Sequence, residues 1–447
     1  MKRIYLIISL LIIFCFQDIS AQVKQWTLED CINYAVTNNI GLQRQRLQTE
    51  SAKVNFLTSK MNLLPNLNAG SQVDVRFGRS VNPQTNIITF NQNLINSYYV
   101  SSSIQLFNGF AKVNTISANK FMLMAGVESE KITRNTLIVD IMGQFYQVLY
   151  SRGLENASKM QLDLSEKQRF RIMKMVETGK EALSKQFEIE SQLSADKLAY
   201  TVAQNNASEA LTTLKQMLQL PHDSDFDILI PDLNNLLITD YTFNTDSIYN
   251  IASQTLPRLR EIELELKASK RQIAAARGYL APSLSLNGSV STGYIRTSSA
   301  DSTAAFTSQL KLNRGQEVYL TLNIPIFNNY STARNIKLAK IKRNDTSLKL
   351  EQEKNNLYTE VENACLNFNR GKDEFSAAKA NYDFNTKSFS AVEKKFESGL
   401  VDVTEYSVAK TTLFKAETEA LRTKLQLLIR KLTIQFYSTG EYENLMN

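Results

Sequence analysis

Leu64-Pro-Asn-Leu-Asn-Ala-Gly-Ser-Gln-Val-Asp-Val-Arg-Phe77 is the stretch on which the reading of the whole chain turns. Before it, the sequence Trp26-Thr-Leu-Glu-Asp-Cys-Ile-Asn-Tyr-Ala opens a helix with Thr27 as N-cap and Asp30 placed three residues on, the arrangement of a capping box. That helix is expected to continue to about Leu63. Pro65 then pushes the residue before it out of helical geometry. From Leu67 the period drops to two: Leu67, Ala69, Val73, Val75 and Phe77 alternate with Asn68, Gly70, Gln72, Asp74 and Arg76. This is a strand with one apolar and one polar face.

Working outward, three further segments repeat the alternation. Val100, Ile104 and Leu106 oppose Tyr99, Ser101, Ser103 and Gln105, so 67–107 reads as a β-hairpin with a long polar loop over 78–97. Ala281-Pro-Ser-Leu284 stands where Leu64-Pro-Asn-Leu67 stood, and a second hairpin is expected over 284–326. Its strands carry Leu284, Leu286 and Val290, then Val318, Leu320, Leu322, Ile324 and Ile326, with a second polar loop over 295–316. The preceding helix is read as running from Asp246 to Ala281.

Each hairpin leads into a long span without proline, 111–220 and 330–437. Phe107-Asn-Gly is answered by Phe327-Asn-Asn and Glu177-Thr-Gly179 by Glu397-Ser-Gly399, both 220 residues later, which marks an internal two-fold repeat. In the second span Leu357, Val361, Ala364, Phe368, Phe375, Ala378, Tyr382, Phe389, Val392 and Phe396 keep a 4,3 stepping that lapses at Gly371 and Asn385. A 3.5-residue repeat makes a helix supercoil on a neighbour. After the turn, one stripe runs through Tyr406, Ala409, Leu413, Ala416, Ala420, Leu427 and Ile434 and another through Leu421, Leu425, Leu428 and Leu432, which implies helical neighbours on two sides. A continuous helix over 330–398 would be roughly 100 Å long at about 1.5 Å per residue.

The resulting organisation is a signal peptide over 1–21, a first repeat over 22–220 with its tip at 178–184, a linker over 221–246, a second repeat over 247–440 with its tip at 398–404, and a tail over 441–447. Lys2 and Arg3 precede an apolar run from Ile4 to Phe16 and a small-residue end at Ser20-Ala21, the pattern of a secretory leader. The run is shorter than the ~20 residues a membrane-spanning helix needs, and Cys15 lacks the small residues that lipid attachment wants before it. Two cysteines, Cys31 and Cys365, remain at unrelated positions, so no disulfide framework is expected. Without residues 1–21, 49 basic residues face 43 acidic ones, interspersed as on solvated faces and without the basic, aromatic-laced block that nucleic-acid binding calls for. One histidine, two mature cysteines and no Gly-rich phosphate loop leave no catalytic, cofactor or metal constellation, so an enzyme is not expected.

Strands of about ten residues with one apolar face suit a tilted bilayer crossing. Four of them cannot close a barrel, and an open edge in lipid leaves peptide groups unpaired at several kcal/mol each. A dimer with eight strands or a trimer with twelve would close it, and twelve strands leave a lumen too wide for side chains to fill.

In this order and in duplicate, Trp26 to Ala35, Leu64-Pro-Asn-Leu67, Ala281-Pro-Ser-Leu284 and Phe396-Glu-Ser-Gly-Leu-Val-Asp-Val-Thr-Glu-Tyr406 resemble the TolC family of outer-membrane efflux channels. The resemblance implies a homotrimer with a 12-stranded β-barrel, four strands per chain, in outer-membrane lipid, continued by a periplasmic α-helical coiled-coil barrel. It implies a passive duct docked to a periplasmic adaptor and an inner-membrane pump of RND or ABC type. The docking tips carry over to Thr178, Gly179, Lys180, Ser398, Gly399 and Leu400, although these glycines also serve simply to end helices. The gate carries over to Phe396, Val401, Glu405, Val408 and Lys185. Here the chain departs from the pattern: Phe396 replaces a tyrosine, Val401 an arginine, Val408 the second acidic residue and Lys185 an acidic one. Glu405 is left as an ion-binding ring or a plain solvated glutamate. The remaining alternative is a secreted structural coiled coil without a membrane barrel.

Overall fold

The computed structural model describes residues 25–81, 86–231, 243–297 and 304–440. The expected signal peptide, the tail and positions 232–242 of the expected linker lie outside them. The chain divides into two compact units, one of residues 1–44, 131–256 and 355–447 and one of residues 45–130 and 257–354.

The described residues form nine helices, two short strands and the four strands of a sheet. They begin with β1 (Gln25–Trp26), α1 (Leu28–Asn38), α2 (Ile40–Met61), β2 (Asn66–Val81), β3 (Ile88–Asn108), α3 (Ala111–Glu177) and α4 (Leu183–Leu218). Then come β4 (Asp227–Ile228), α5 (Thr245–Thr255), α6 (Pro257–Gly278), β5 (Ser283–Thr297), α7 (Phe306–Leu312), β6 (Gly315–Asn323), α8 (Ser331–Glu397) and α9 (Val403–Thr439). α1 and α2 recur 217 residues later as α5 and α6, and α3 recurs 220 residues later as α8, both 67 residues long.

The capping box at Thr27 is present, with the Thr27 side chain accepting from the Asp30 N–H and the Asp30 carboxylate from the Thr27 N–H. The expected single helix to Leu63 is instead two. Asn39 leaves helical geometry at ψ 124° and its side chain accepts the Leu42 N–H at 3.1 Å, capping α2. The expected helix 246–281 is likewise broken at Leu256, because Pro257 follows it and forces an extended ψ of 130°.

The sheet runs β2-β3-β5-β6, antiparallel throughout. Its strands correct the expected loops. The ladder of β2 and β3 continues from Asn66↔Ser103 to Val81↔Ile88, through most of the presumed 78–97 loop. Backbone pairing needs no apolar side chain, so polar residues do not end a strand that is already zipped to its partner. β5 extends to Thr297, α7 occupies part of the second presumed loop, and β6 ends at Asn323. Ile324 and Ile326 fall outside β6, where Pro325 has no N–H to give the ladder.

Register sorts the side chains as the alternation requires. One face carries the rows Ala69–Val100–Val290 and Ile104–Leu286–Leu320, the other Asn68–Ser101–Ser289–Glu317. A bulge between Gln105 and Phe107 leaves Leu106 out of the pairing.

In the same unit, Gly109 has φ +61°, and a Cβ there would lie 2.2 Å from the Gly278 carbonyl oxygen and 2.7 Å from Ala281 Cβ. Gly399 has φ +73° with nothing within 4 Å. Gly399→Ala therefore costs only the left-handed conformation, about 1–2 kcal/mol. Gly109→Ala adds backbone overpacking of ~1–3 kcal/mol. A thermal melt of the two detergent-solubilised variants is expected to show the larger loss at position 109; equal losses would mean the Gly109–Gly278 approach is not close.

Two hydrophobic cores stand out among the described residues of the other unit. The first gathers Cys31, Ile32, Ile138, Ile141, Phe145, Val148, Leu214, Leu218, Leu425 and Leu428, with Trp26 edge-on to Tyr34 and Phe226. Ile228 is fully buried in it, and β4 pairs in parallel with β1. Part of the expected 221–246 linker, Phe226 and Ile228, thus enters the core. Burial raises the Cys31 thiol to about 12. The second core is at the helix tips: Ile172, Ile189, Phe389, Phe396, Val403 and Tyr406. Gly371, a lapse in the apolar stepping, lies where α9 comes close, since a Cβ there would sit 2.6 Å from an Arg430 guanidinium nitrogen and 3.3 Å from Leu427.

Candidate functional site

Both long helices end in the same device. Gly179 and Gly399 take left-handed φ of +70° and +73°. The Lys180 N–H donates to the Met175 carbonyl at 2.8 Å and the Gly179 N–H to Val176 at 3.0 Å; Leu400 and Gly399 donate to Lys395 and Phe396 at 2.9 and 3.0 Å. These are Schellman closures, which satisfy carbonyls a helix end would leave open. The hydroxyls of Thr178 and Ser398 fold back onto the carbonyls of Lys174 and Lys394. What each tip presents outward is Lys180 on one side and Leu400, 75% exposed, on the other.

Beneath the tips the two hairpins are joined. The Arg171 guanidinium of α3 donates to the carbonyls of Glu397 at 2.5 Å and Phe396 at 3.3 Å, and stacks 5.2 Å over the Phe396 ring. A cation is thereby placed on the negative end of the α8 dipole. Asp402 caps α9 by accepting the Glu405 N–H at 2.9 Å. Lys185 of α4 lies 3.0 Å from Glu188 and 3.7 Å from Asp402, and Thr404 donates to Glu188 at 2.7 Å.

These contacts shift the titrations in the direction each predicts. Glu188 is held below its ordinary range, first by the Thr404 hydrogen bond and then by Lys185. Asp402 is lowered by the Glu405 N–H, and Lys185 is raised by its bond to Glu188.

The five expected gate residues do not share one environment. Phe396 is 5% exposed, its ring 4.8 Å from that of Tyr406. Val401 packs on the edge of the same core. Lys185 is engaged with Glu188 and Asp402. Glu405 is exposed, as is Val408 one turn further along.

Sequence reasoning missed the groups that join the hairpins, Arg171, Glu188, Asp402 and Thr404, and it missed a buried layer below the tip core. There the Lys410 ammonium of α9 donates to Asp196 of α4 at 2.6 Å and to the Ser165 hydroxyl of α3 at 2.5 Å. Gln161, Gln192 and Ser165 also donate to the Asp196 carboxylate. The side chains of Lys410 and Asp196 are 3% and 4% exposed. Burial pulls the Lys410 ammonium down, against the opposing pull of Asp196.

A separate candidate region is the sheet of the other unit. Its apolar face is open to solvent in a single chain, with Leu67, Phe77 and Val318 each at least 76% exposed. β2 and β6 end the strand order without a partner among the described residues. No described helix is long and apolar enough to cross a membrane. Residues 248–439 match the family model of the outer membrane efflux protein. An uncharacterized protein of Haemophilus influenzae is 20% identical over 96% of this chain and 92% of its own length. The fold is shared with the Campylobacter jejuni CmeC outer membrane channel, at a TM-score of 0.78 and 15% identity over 94% of this chain and 88% of that one. It is shared with the open state of the Neisseria gonorrhoeae MtrE outer membrane channel at a TM-score of 0.74 and 18% identity, over 93% and 89%. A CusC structure, described in connection with transmembrane channel formation, gives a TM-score of 0.78 and 17% identity over 93% and 92%.

Proposed function

We propose that this protein is an outer membrane efflux channel, the passive exit duct of a tripartite efflux or type I secretion system. Three copies close a twelve-stranded barrel, β2 of one chain pairing with β6 of the next, and the helical part stands in the periplasm. The observation that carries this reading is the sheet with one apolar face, one polar face and two open edges. In lipid the edges need partners at several kcal/mol per unpaired group, the apolar rows need hydrocarbon, and the polar rows can line water. The matched lengths of α3 and α8, together with the recurrence of α1 and α2 as α5 and α6, support an origin by duplication, with repeats over 22–220 and 247–440.

Thr178, Gly179, Lys180, Ser398, Gly399 and Leu400 form the surface that meets a periplasmic adaptor, which links the duct to an inner-membrane pump of RND or ABC type. Of the gate candidates, Glu405 and Val408 have the exposure to line a mouth. Phe396, Val401 and Lys185 act by holding the tip that carries them. Detergent-extracted protein is expected to migrate as a heat-sensitive trimer and to give unitary currents in a planar bilayer. Release as a monomer on osmotic shock, with no conductance, would leave the secreted coiled coil standing.

A further inference from the structure

We infer that the buried Lys410–Asp196–Ser165 layer is a register lock: it selects one axial position of α9 against α3 and α4. The inference does not rest on the channel reading. It starts from what surrounds the layer. On α4, the buried residues between Ile189 of the tip core and Leu214 of the other core are Asp196, Ala203, Ala207 and Ala210. On α9, those between Tyr406 and Leu425 are Lys410, Ala416 and Thr423. On α3, those between Ser151 and Ile172 are Ala157, Ser158 and Ser165.

Over about twenty residues, then, all three helices bury small side chains and one polar layer. Helices packed through alanine and serine have shallow knobs, so within this stretch the polar layer carries most of the resistance to an axial shift, beside the cores that hold Tyr406 and Leu425 at either end. The layer is different. Ser158, Ser165 and Ile172 are a heptad apart, as are Ile189, Asp196 and Ala203, and Val403 and Lys410. A one-turn slip of α9 would carry the Lys410 ammonium about 5.4 Å along the axis, away from a carboxylate held by Gln161, Gln192 and Ser165. It would be left charged and parted from its carboxylate. A single polar group at such a position specifies register at some cost in stability, which is the role assigned here. Glu405 and Val408 precede Lys410 by five and two residues on the same helix, so the lock also fixes where they stand.

The test separates register from stability. In full-length protein, Thr201→Cys on α4 and Thr412→Cys on α9, both exposed, take spin labels, while native Cys31 and Cys365 are buried. Labelled chains are diluted into unlabelled ones, and the distance distribution is measured by pulsed resonance. With Lys410 and Asp196 in place, one narrow distance is expected. Lys410→Met with Asp196→Leu is expected to fold and to show a second distance displaced by about one turn, ~5.4 Å. The swapped pair, Lys410→Asp with Asp196→Lys, is expected to restore a single distance. An unchanged single distance in the apolar pair overturns the lock, and so does a second distance in the swapped pair. Failure of both variants to fold would make the layer a requirement of the fold and would also overturn it.

Discussion

Val100→Arg is expected to prevent or strongly weaken assembly in lipid, while Ser101→Arg, its neighbour in β3, leaves assembly close to normal. Val100 lies midway along β3, opposite Ala69 on one side and Val290 on the other, in the middle of the apolar face. An arginine directed at lipid near the bilayer midplane costs about 2–4 kcal/mol, and a trimer would bear that cost in every subunit. Ser101 lies between Asn68 and Ser289 on the polar face. In the proposed barrel a charge there would meet water in the lumen and change ion selectivity more than stability. The measurement is the fraction of protein that acquires heat-sensitive trimer migration on refolding into vesicles. Equal yields for the two variants would mean that the apolar face does not lie against hydrocarbon, and the barrel reading would fall with it.

What could be read in advance depended on whether the information was local. Thr27 with Asp30, Gly179 and Gly399 act through backbone within a few residues, and each does in the structure what its spacing implies. The stepping of α8 was also legible, because a heptad records one face of one helix; Leu357, Val361 and Phe368 are fully buried on it. The end of β2 and the start of β3 were not, since a polar residue such as Gln92 or Asn93 of β3 pairs through its backbone as well as any other. Pro257 was in plain view and breaks the helix as prolines do. The tethers were hidden for a different reason. Arg171 reaches carbonyls 225 and 226 positions away, and Lys410 meets a carboxylate 214 positions away. A lysine beside Ala409 on a helix reads as a solvated charge until its partner is known, so the stripe was drawn through the alanine.

Removing that partner gives the second large effect. Asp196→Ala leaves the Lys410 ammonium 3% exposed with the Ser165 hydroxyl as its remaining acceptor among the described contacts. An uncompensated buried charge of this kind costs about 3–5 kcal/mol. Lys410→Met is expected to cost less, because the Asp196 carboxylate keeps three donors, from Gln161, Gln192 and Ser165. The double change, Lys410→Met with Asp196→Leu, removes both charges and is expected to lie near the starting stability, as apolar replacement of buried pairs commonly does. The order of urea midpoints should therefore be Asp196→Ala lowest, Lys410→Met intermediate and the double variant highest of the three. That non-additivity is the signature of a pair whose cost lies in being broken, not in being absent. If Asp196→Ala instead unfolds together with the unmodified protein, water reaches Lys410 in the native state, and the layer can neither bury a charge nor hold α9 in register.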